Sequence, residues 1–230
     1  MNVLIIDTAT EACSVALAGV NHIFHRFEIC PQQHSQRILP MVDEVLAEAG
    51  LTLQNIDYLA FGRGPGSFTG VRIATGIIQG LALGADLPVV GISTLQAMAQ
   101  QVYEQYSLQK VISATDARMN EVYIGAYAAK NGIMLPVNDE QVLAPQDANQ
   151  LIINVANKDT AGAGTGWQAY AELDTGKNIQ LIDSVLYPNA RYMAALAKYA
   201  ISSGEFSAVE DVEPVYLRDK VTWKKLPGRE

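Results

Sequence analysis

Five side chains carry most of the chemistry this sequence offers: Asp7, Asp116, His34, Cys13 and Cys30. Asp7 and Asp116 each follow a short apolar run, Leu4-Ile5-Ile6 and Val111-Ile112-Ser113-Ala114-Thr115. An acid at the carboxyl end of a strand is where open α/β sheets bind ligands. The same residue also closes a hairpin through an Asx turn. His34 has Ile38 as its i+4 neighbour, so a second ligand on the same helical face is missing, and metal sites need three or four. Without a histidine partner a cysteine nucleophile lacks an obvious base, and Cys13 and Cys30 both read as buried strand-region thiols. No metal and no cofactor is expected.

Two glycine-rich loops lie at predicted strand ends, Gly62-x-Gly64-x-Gly66 and Gly162-x-Gly164-x-Gly166. Backbone N–H groups at such a place can meet a phosphate, with Arg63 and Arg72 close to the first loop. Neither loop has the Lys-Ser/Thr of a P-loop nor the register of a dinucleotide fingerprint. A tight turn needing positive φ, stiffened at the first loop by Pro65, explains them better. Trp167 beside the second loop stacks a base or covers the core.

The elements that must position these residues follow from periodicity. Asn2–Thr8, Ala12–Ala18 and His22–Ile29 read as an antiparallel meander. Ser35–Ala49 is a helix with Ile38, Leu39, Val42, Val45, Leu46 and Ala49 at helical spacing, kinked near Pro40 and stopped by Gly50. Strand Ile56–Phe61, helix Thr69–Gly84 and strand Leu87–Ile92 follow. Ser93 caps a third helix, with Gln96 in the capping-box position. Val111–Thr115, Asp116 and Glu121–Ala128 then repeat the strand, Asp, turn, strand order of the N-terminus. The reading is an α/β fold with mixed sheets and two related domains, 1–105 and 106–218, the second reduced, with a polar tail over 219–230.

Gly76, Gly80 and Gly84 fall four apart in the second helix and share one face. Each internal glycine costs ~1 kcal/mol against alanine, so a close neighbour must pack there. Ile73, Ile77, Ile78 and Leu81 flank that face on more than one side. One side covers the sheet and the other suits a partner, unless both are buried within the chain.

The chain has 230 residues, 49% of them apolar and 17% charged, with a net charge of −8. That balance excludes a disordered chain and a general phosphate-binding surface. Two cysteines exclude a disulfide scaffold. No apolar run reaches about 18 residues, and the start lacks a basic n-region, so neither a membrane span nor a signal peptide is expected. The expected location is cytoplasmic.

Gln33-His34-Ser35 leading into Leu39-Pro40-Met41, the run Gly62-Arg63-Gly64-Pro65-Gly66-Ser67-Phe68-Thr69-Gly70-Val71-Arg72, Asp116-Ala117-Arg118 with Glu121-Val122-Tyr123, and Pro214-Val215-Tyr216-Leu217-Arg218 together resemble the TsaB (YeaZ) family of tRNA threonylcarbamoyladenosine biosynthesis proteins. The resemblance implies an actin/Hsp70/sugar-kinase-like (ASKHA) fold. It implies a non-catalytic partner of TsaD, required for threonylcarbamoylation of adenosine 37 in tRNAs reading codons that start with A. It implies a homodimer when alone, a TsaD heterodimer, the ATPase TsaE in a larger complex, and tRNA met only through that complex. TsaD-like proteins hold a metal through His-x-x-x-His, and here that pair is His34 and Ile38. The usual Asp-x-Gly-Thr phosphate loop reads Asp7-Thr8-Ala9-Thr10. Asp7, Thr8, Gly64, Gly66 and Asp116 are therefore candidates for a vestigial nucleotide or phosphate loop. The expected interface residues are Ile38, Met41, Val42 and Val45 on the first helix, and Ile73, Gly76, Ile77, Gly80, Leu81 and Gly84 on the second. Competing functions are an ATP- or phosphate-handling enzyme using Asp7 and Asp116, and a glycoprotease-type peptidase.

Overall fold

A computed structural model describes residues 1–173, 176 and 179–218. The tail residues Lys220, Lys224, Lys225 and Arg229 lie outside the described residues. The first half runs β1 (Val3–Asp7), β2 (Ala12–Ala18), β3 (Ile23–Ile29), α1 (His34–Ala49), β4 (Tyr58–Gly64), α2 (Phe68–Ala85), β5 (Val89–Ser93) and α3 (Thr94–Tyr106). The second half runs β6 (Lys110–Arg118), β7 (Glu121–Lys130), β8 (Ile133–Pro136), β9 (Gln141–Leu143), α4 (Pro145–Val155), β10 (Thr160–Ala163), α5 (Gly166–Ala169), β11 (Gln180–Leu181) and α6 (Ala190–Ser202).

The strands form two mixed sheets of the same connectivity. One has the order β3-β2-β1-β4-β5 and the other β11-β10-β6-β7-β8, with β9 added on β7. In each, the strand ending in or near the aspartate is antiparallel to the next strand and parallel to the one beyond. The repeat read from Asp7 and Asp116 is thus a repeat of topology. It extends to the glycine loops: Gly64 and Gly164 both sit at φ 101° just beyond β4 and β10 or at their ends.

Helices separate and flank the sheets. α1 and α2 cover the outer face of the first sheet. α6 packs on its inner face against Val3, Ile5, Ala16 and Val90. α3 packs on the second sheet through Leu95, Met98 and Val102, and α4 covers the far face of that sheet through Ala148 and Ile152. The halves therefore exchange a helix each, which holds both sheets against one central pair. Ser93 caps α3 as its position predicts, accepting from Gln96 N–H at 3.2 Å. The box is only half made, because the Gln96 amide reaches Met134 O instead.

After α6 the chain returns as a strap, residues 205–218. Ser207 exchanges two backbone bonds with Val89 at the edge of β5. Val212 enters the first core, and Val215 N–H bonds Arg63 O at 2.8 Å.

The inner face of α1 corrects the interface expectation. Ile38, Met41, Val42 and Val45 are at most 2% exposed and pack with Leu4, Ile6, Val15 and Leu17. They belong to the core of this chain and are not available to a partner. Helical spacing marks a buried face without saying what buries it. The outward face of α1 carries Leu39, Pro40, Asp43 and Ala47.

Candidate functional site

α2 is the most unusual element. Ser67 caps it by accepting from Gly70 N–H at 3.3 Å, and Asp86 ends it in the left-handed region. Val71, Ala74, Ile78 and Ala82 enter the core. Gly76, Gly80 and Gly84 lie on the opposite side, exposed, with no heavy atom within 4 Å of where their Cβ atoms would stand. Ile73, Ile77 and Leu81 are half-buried beside them, and Phe68 and Leu83 are exposed. The six α2 residues predicted for an interface thus form one continuous outer stripe. Among the described residues nothing packs on those glycines to offset their helix-propensity cost. α2 is also long and apolar enough to cross a membrane by length and composition, although Thr69, Arg72, Thr75 and Gln79 interrupt its apolar run. About a third of it is buried against the first sheet.

The strap fixes one flank of this face. The Arg72 guanidinium lies 3.7 Å over the Phe68 ring, and its Nε donates to Tyr216 Oη at 2.8 Å. The Gln79 amide donates to Val212 O at 3.0 Å. Arg72 is therefore committed to packing, not to an anion. Sequence reasoning missed this latch because its partners are more than 130 residues apart.

The vestigial loop is closed from both sides. Ser67 N–H bonds Ala9 O at 2.7 Å, and Thr8 Oγ1 donates to Gly70 O at 2.7 Å. A side chain at Gly66 would collide with Ala9 O, and one at Gly70 with Thr8 O. The glycines of this run serve the close approach of two backbones. Asp7 is fully buried under Gly62; its Oδ1 takes a long bond from Ala9 N–H at 3.4 Å and its Oδ2 has no partner. Burial pushes its carboxyl up to about 7, partly offset by the Ala9 N–H.

Asp116 has a different environment. Its carboxylate accepts from Arg118 N–H, Arg118 Nη1 and Tyr170 Oη, each at 2.8 Å. Arg118 also donates to Glu11 at 2.9 Å, so the β1–β2 and β6–β7 turns are tied together. Arg118 is 73% exposed, and such a pair contributes at most ~1 kcal/mol. Arg118, Met119 and Asn120 all have φ near 60°. Arg218 braces this turn, donating to Ala117 O, Arg118 O and the Glu121 carboxylate. Arg218 is thereby committed within the chain. Trp167 covers the second outer core.

Cys13 and Cys30 are buried free thiols, and burial pushes the Cys13 thiol up. His34 is buried with Ile38 beside it, and its Nε2 has no partner. Among the described residues no three His, Cys, Asp or Glu side chains gather as a metal site. The donor set therefore does not fit the metal that a His-x-x-x-His helix would hold.

Asp7 gives a pH prediction. Its carboxyl sits near 7 when folded against an ordinary 3.8, so the native chain holds the proton more tightly than the unfolded one. This contribution is fully present below about pH 4 and is lost as pH rises through 7. Asp7→Asn removes it. The variant is expected to be more stable than the parent by up to ~4 kcal/mol at pH 8, with the gap closing toward pH 4. Urea unfolding of both chains across that range reads it. A gap that does not change with pH would sink the assignment.

Two mixed sheets of one topology, exchanged central helices and aspartates at the facing turns define an α/β protein of the actin/Hsp70/sugar-kinase-like (ASKHA) class. Residues 27–225 match the TsaD family model, described as tRNA N6-adenosine threonylcarbamoyltransferase. The chain is 48% identical to the tRNA threonylcarbamoyladenosine biosynthesis protein TsaB of Escherichia coli, covering all of both chains. It is 48% identical to TsaB of Haemophilus influenzae over all of this chain and 99% of that one. The solved structure of YeaZ from Pseudomonas aeruginosa superposes with a TM-score of 0.85 at 43% identity, covering 94% of this chain and 99% of that chain. The chain belongs to the TsaB (YeaZ) family of tRNA threonylcarbamoyladenosine biosynthesis proteins.

Proposed function

We propose that this protein is a non-catalytic subunit that docks on TsaD through the outer face of α2 and supports threonylcarbamoylation of adenosine 37 in tRNAs reading codons that start with A. The observation that carries the reading is the open stripe Gly76, Gly80 and Gly84, flanked by Ile73, Ile77 and Leu81. Small residues at this spacing let another backbone come close. The same face, used between two copies, gives the homodimer of the isolated chain, so dimer and heterodimer compete. The closed loop at Asp7 and the engaged carboxylate of Asp116 support an absence of catalysis by this subunit. The net charge of −8 supports tRNA being met through the complex, with TsaE as a further member.

Reconstitution tests this. With tRNA, TsaD, TsaE and a source of threonylcarbamoyl-adenylate, modification is expected only when this chain is added. Asp7→Asn and Asp116→Asn chains are expected to retain most of the activity. Full modification without the chain would make it dispensable. Loss in a folded Asp7→Asn chain would make it an ATP- or phosphate-handling enzyme instead.

A further inference from the structure

The edge of the first sheet is only half covered by the strap. Leu59 N–H donates to Pro88 O within the β4–β5 ladder, while Val89 spends both backbone groups outward on Ser207. Backbone groups alternate sides along a strand, so Gly91, two residues on, also presents its N–H and C=O outward. No strap residue takes them. Glu205, the next in antiparallel register, has its own N–H bonded to Ala200 O at the end of α6. Gly91 is exposed.

Arg63 lies directly over this glycine. A Cβ at position 91 would stand 3.1 Å from Arg63 Cδ. The Arg63 side chain forms no hydrogen bond or ion pair among the described residues, and its Nε is buried without a partner. A buried donor on a charged group is normally satisfied, because leaving it unpaired carries its full desolvation cost. A cleft of about 650 Å³ opens beside it, walled by Leu135, Pro136, Tyr199, Phe206 and Val215. Glu205, Asp211 and Glu213 line it as exposed carboxylates.

This volume suits a small ligand. An unpartnered guanidinium next to an outward N–H suits a carboxylate. Three carboxylates around it repel a polyanion such as a nucleotide and attract an ammonium group. We propose that the cleft binds a zwitterion, a free α-amino acid or the same groups on a short peptide. Its carboxylate meets Arg63 and the Gly91 N–H, its ammonium faces Glu205, Asp211 and Glu213, and an apolar side chain lies along Phe206 and Leu135. The site is separate from the outer face of α2 and does not depend on the subunit reading above.

Amide-resolved NMR of the full chain titrated with L-leucine tests it. Shifts are expected at Gly91, Phe206 and Ser207. Leucinamide, which lacks the carboxylate, and 4-methylpentanoate, which lacks the ammonium, are each expected to bind about tenfold or more weakly. Arg63→Gln is expected to weaken leucine by a similar factor. Phe206→Ala, at an exposed position, gives a second variant that folds independently of Arg63 and is expected to weaken it less. Glycyl-leucine tighter than leucine assigns a peptide; leucine equal or tighter assigns the free amino acid. No shift around Gly91 at millimolar leucine, shifts of the same size with leucinamide, or unchanged binding in a folded Arg63→Gln chain would overturn the proposal.

Discussion

Gly80→Leu is expected to give a chain at least as stable as the parent that no longer assembles with TsaD or with itself. The two halves of that result have separate causes. Nothing lies within 4 Å of a Cβ at position 80, so the leucine meets no obstacle inside the chain. Leucine is also a better helix former than glycine by up to ~1 kcal/mol, so unfolding in urea should shift slightly upward. Across a close-packed interface the same side chain is an overpacking change of ~1–3 kcal/mol, or roughly 5–150-fold in affinity. Sedimentation velocity reads the dimer, titration against TsaD reads the heterodimer, and reconstituted modification reads the consequence. A stable Gly80→Leu chain with parental affinity for TsaD would remove α2 from the interface.

Val45→Glu is expected to fail for the opposite reason. Val45 has no exposed surface and packs inside the first core between α1 and the sheet. A glutamate there is either an ion without a partner or a neutral acid without hydrogen bonds, and it is larger than the space it enters. The expected loss is about 5 kcal/mol or more, comparable to the whole stability of a typical domain. Loss of circular dichroism at ordinary temperature checks it. Leu39→Glu, on the outward face of the same helix, is expected to leave stability within about 0.5 kcal/mol. Comparable destabilisation in the two variants would mean that the faces of α1 are wrongly assigned.

The paired variants bear on how far sequence reaches in this fold. The hairpin of β1 and β2 and that of β6 and β7 were legible, because each is a local pattern: apolar run, aspartate, turn, apolar run. The cap of α3 was legible at Ser93 for the same reason, since a cap acts within one turn. The two glycine loops were visible one by one. Their equivalence was not, because it is a statement about two sheets placing β4 and β10 alike, each parallel to its aspartate strand.

The sequence by itself determined which residues are apolar, at what spacing, and where the chain must turn. It thereby set the two aspartate hairpins, the amphipathic α1 and the doubly apolar α2. Only the tertiary structure decided what meets each face. It put Ile38, Met41, Val42 and Val45 into the core and left Gly76, Gly80 and Gly84 open. It set Gly66 and Gly70 in close backbone contact with Thr8 and Ala9. It carried Tyr216 to Arg72 and Arg218 to Glu121 across 144 and 97 residues of chain. The physical reason is that periodicity and capping act over one or two turns, whereas burial and partner choice depend on surfaces that only the completed packing brings together.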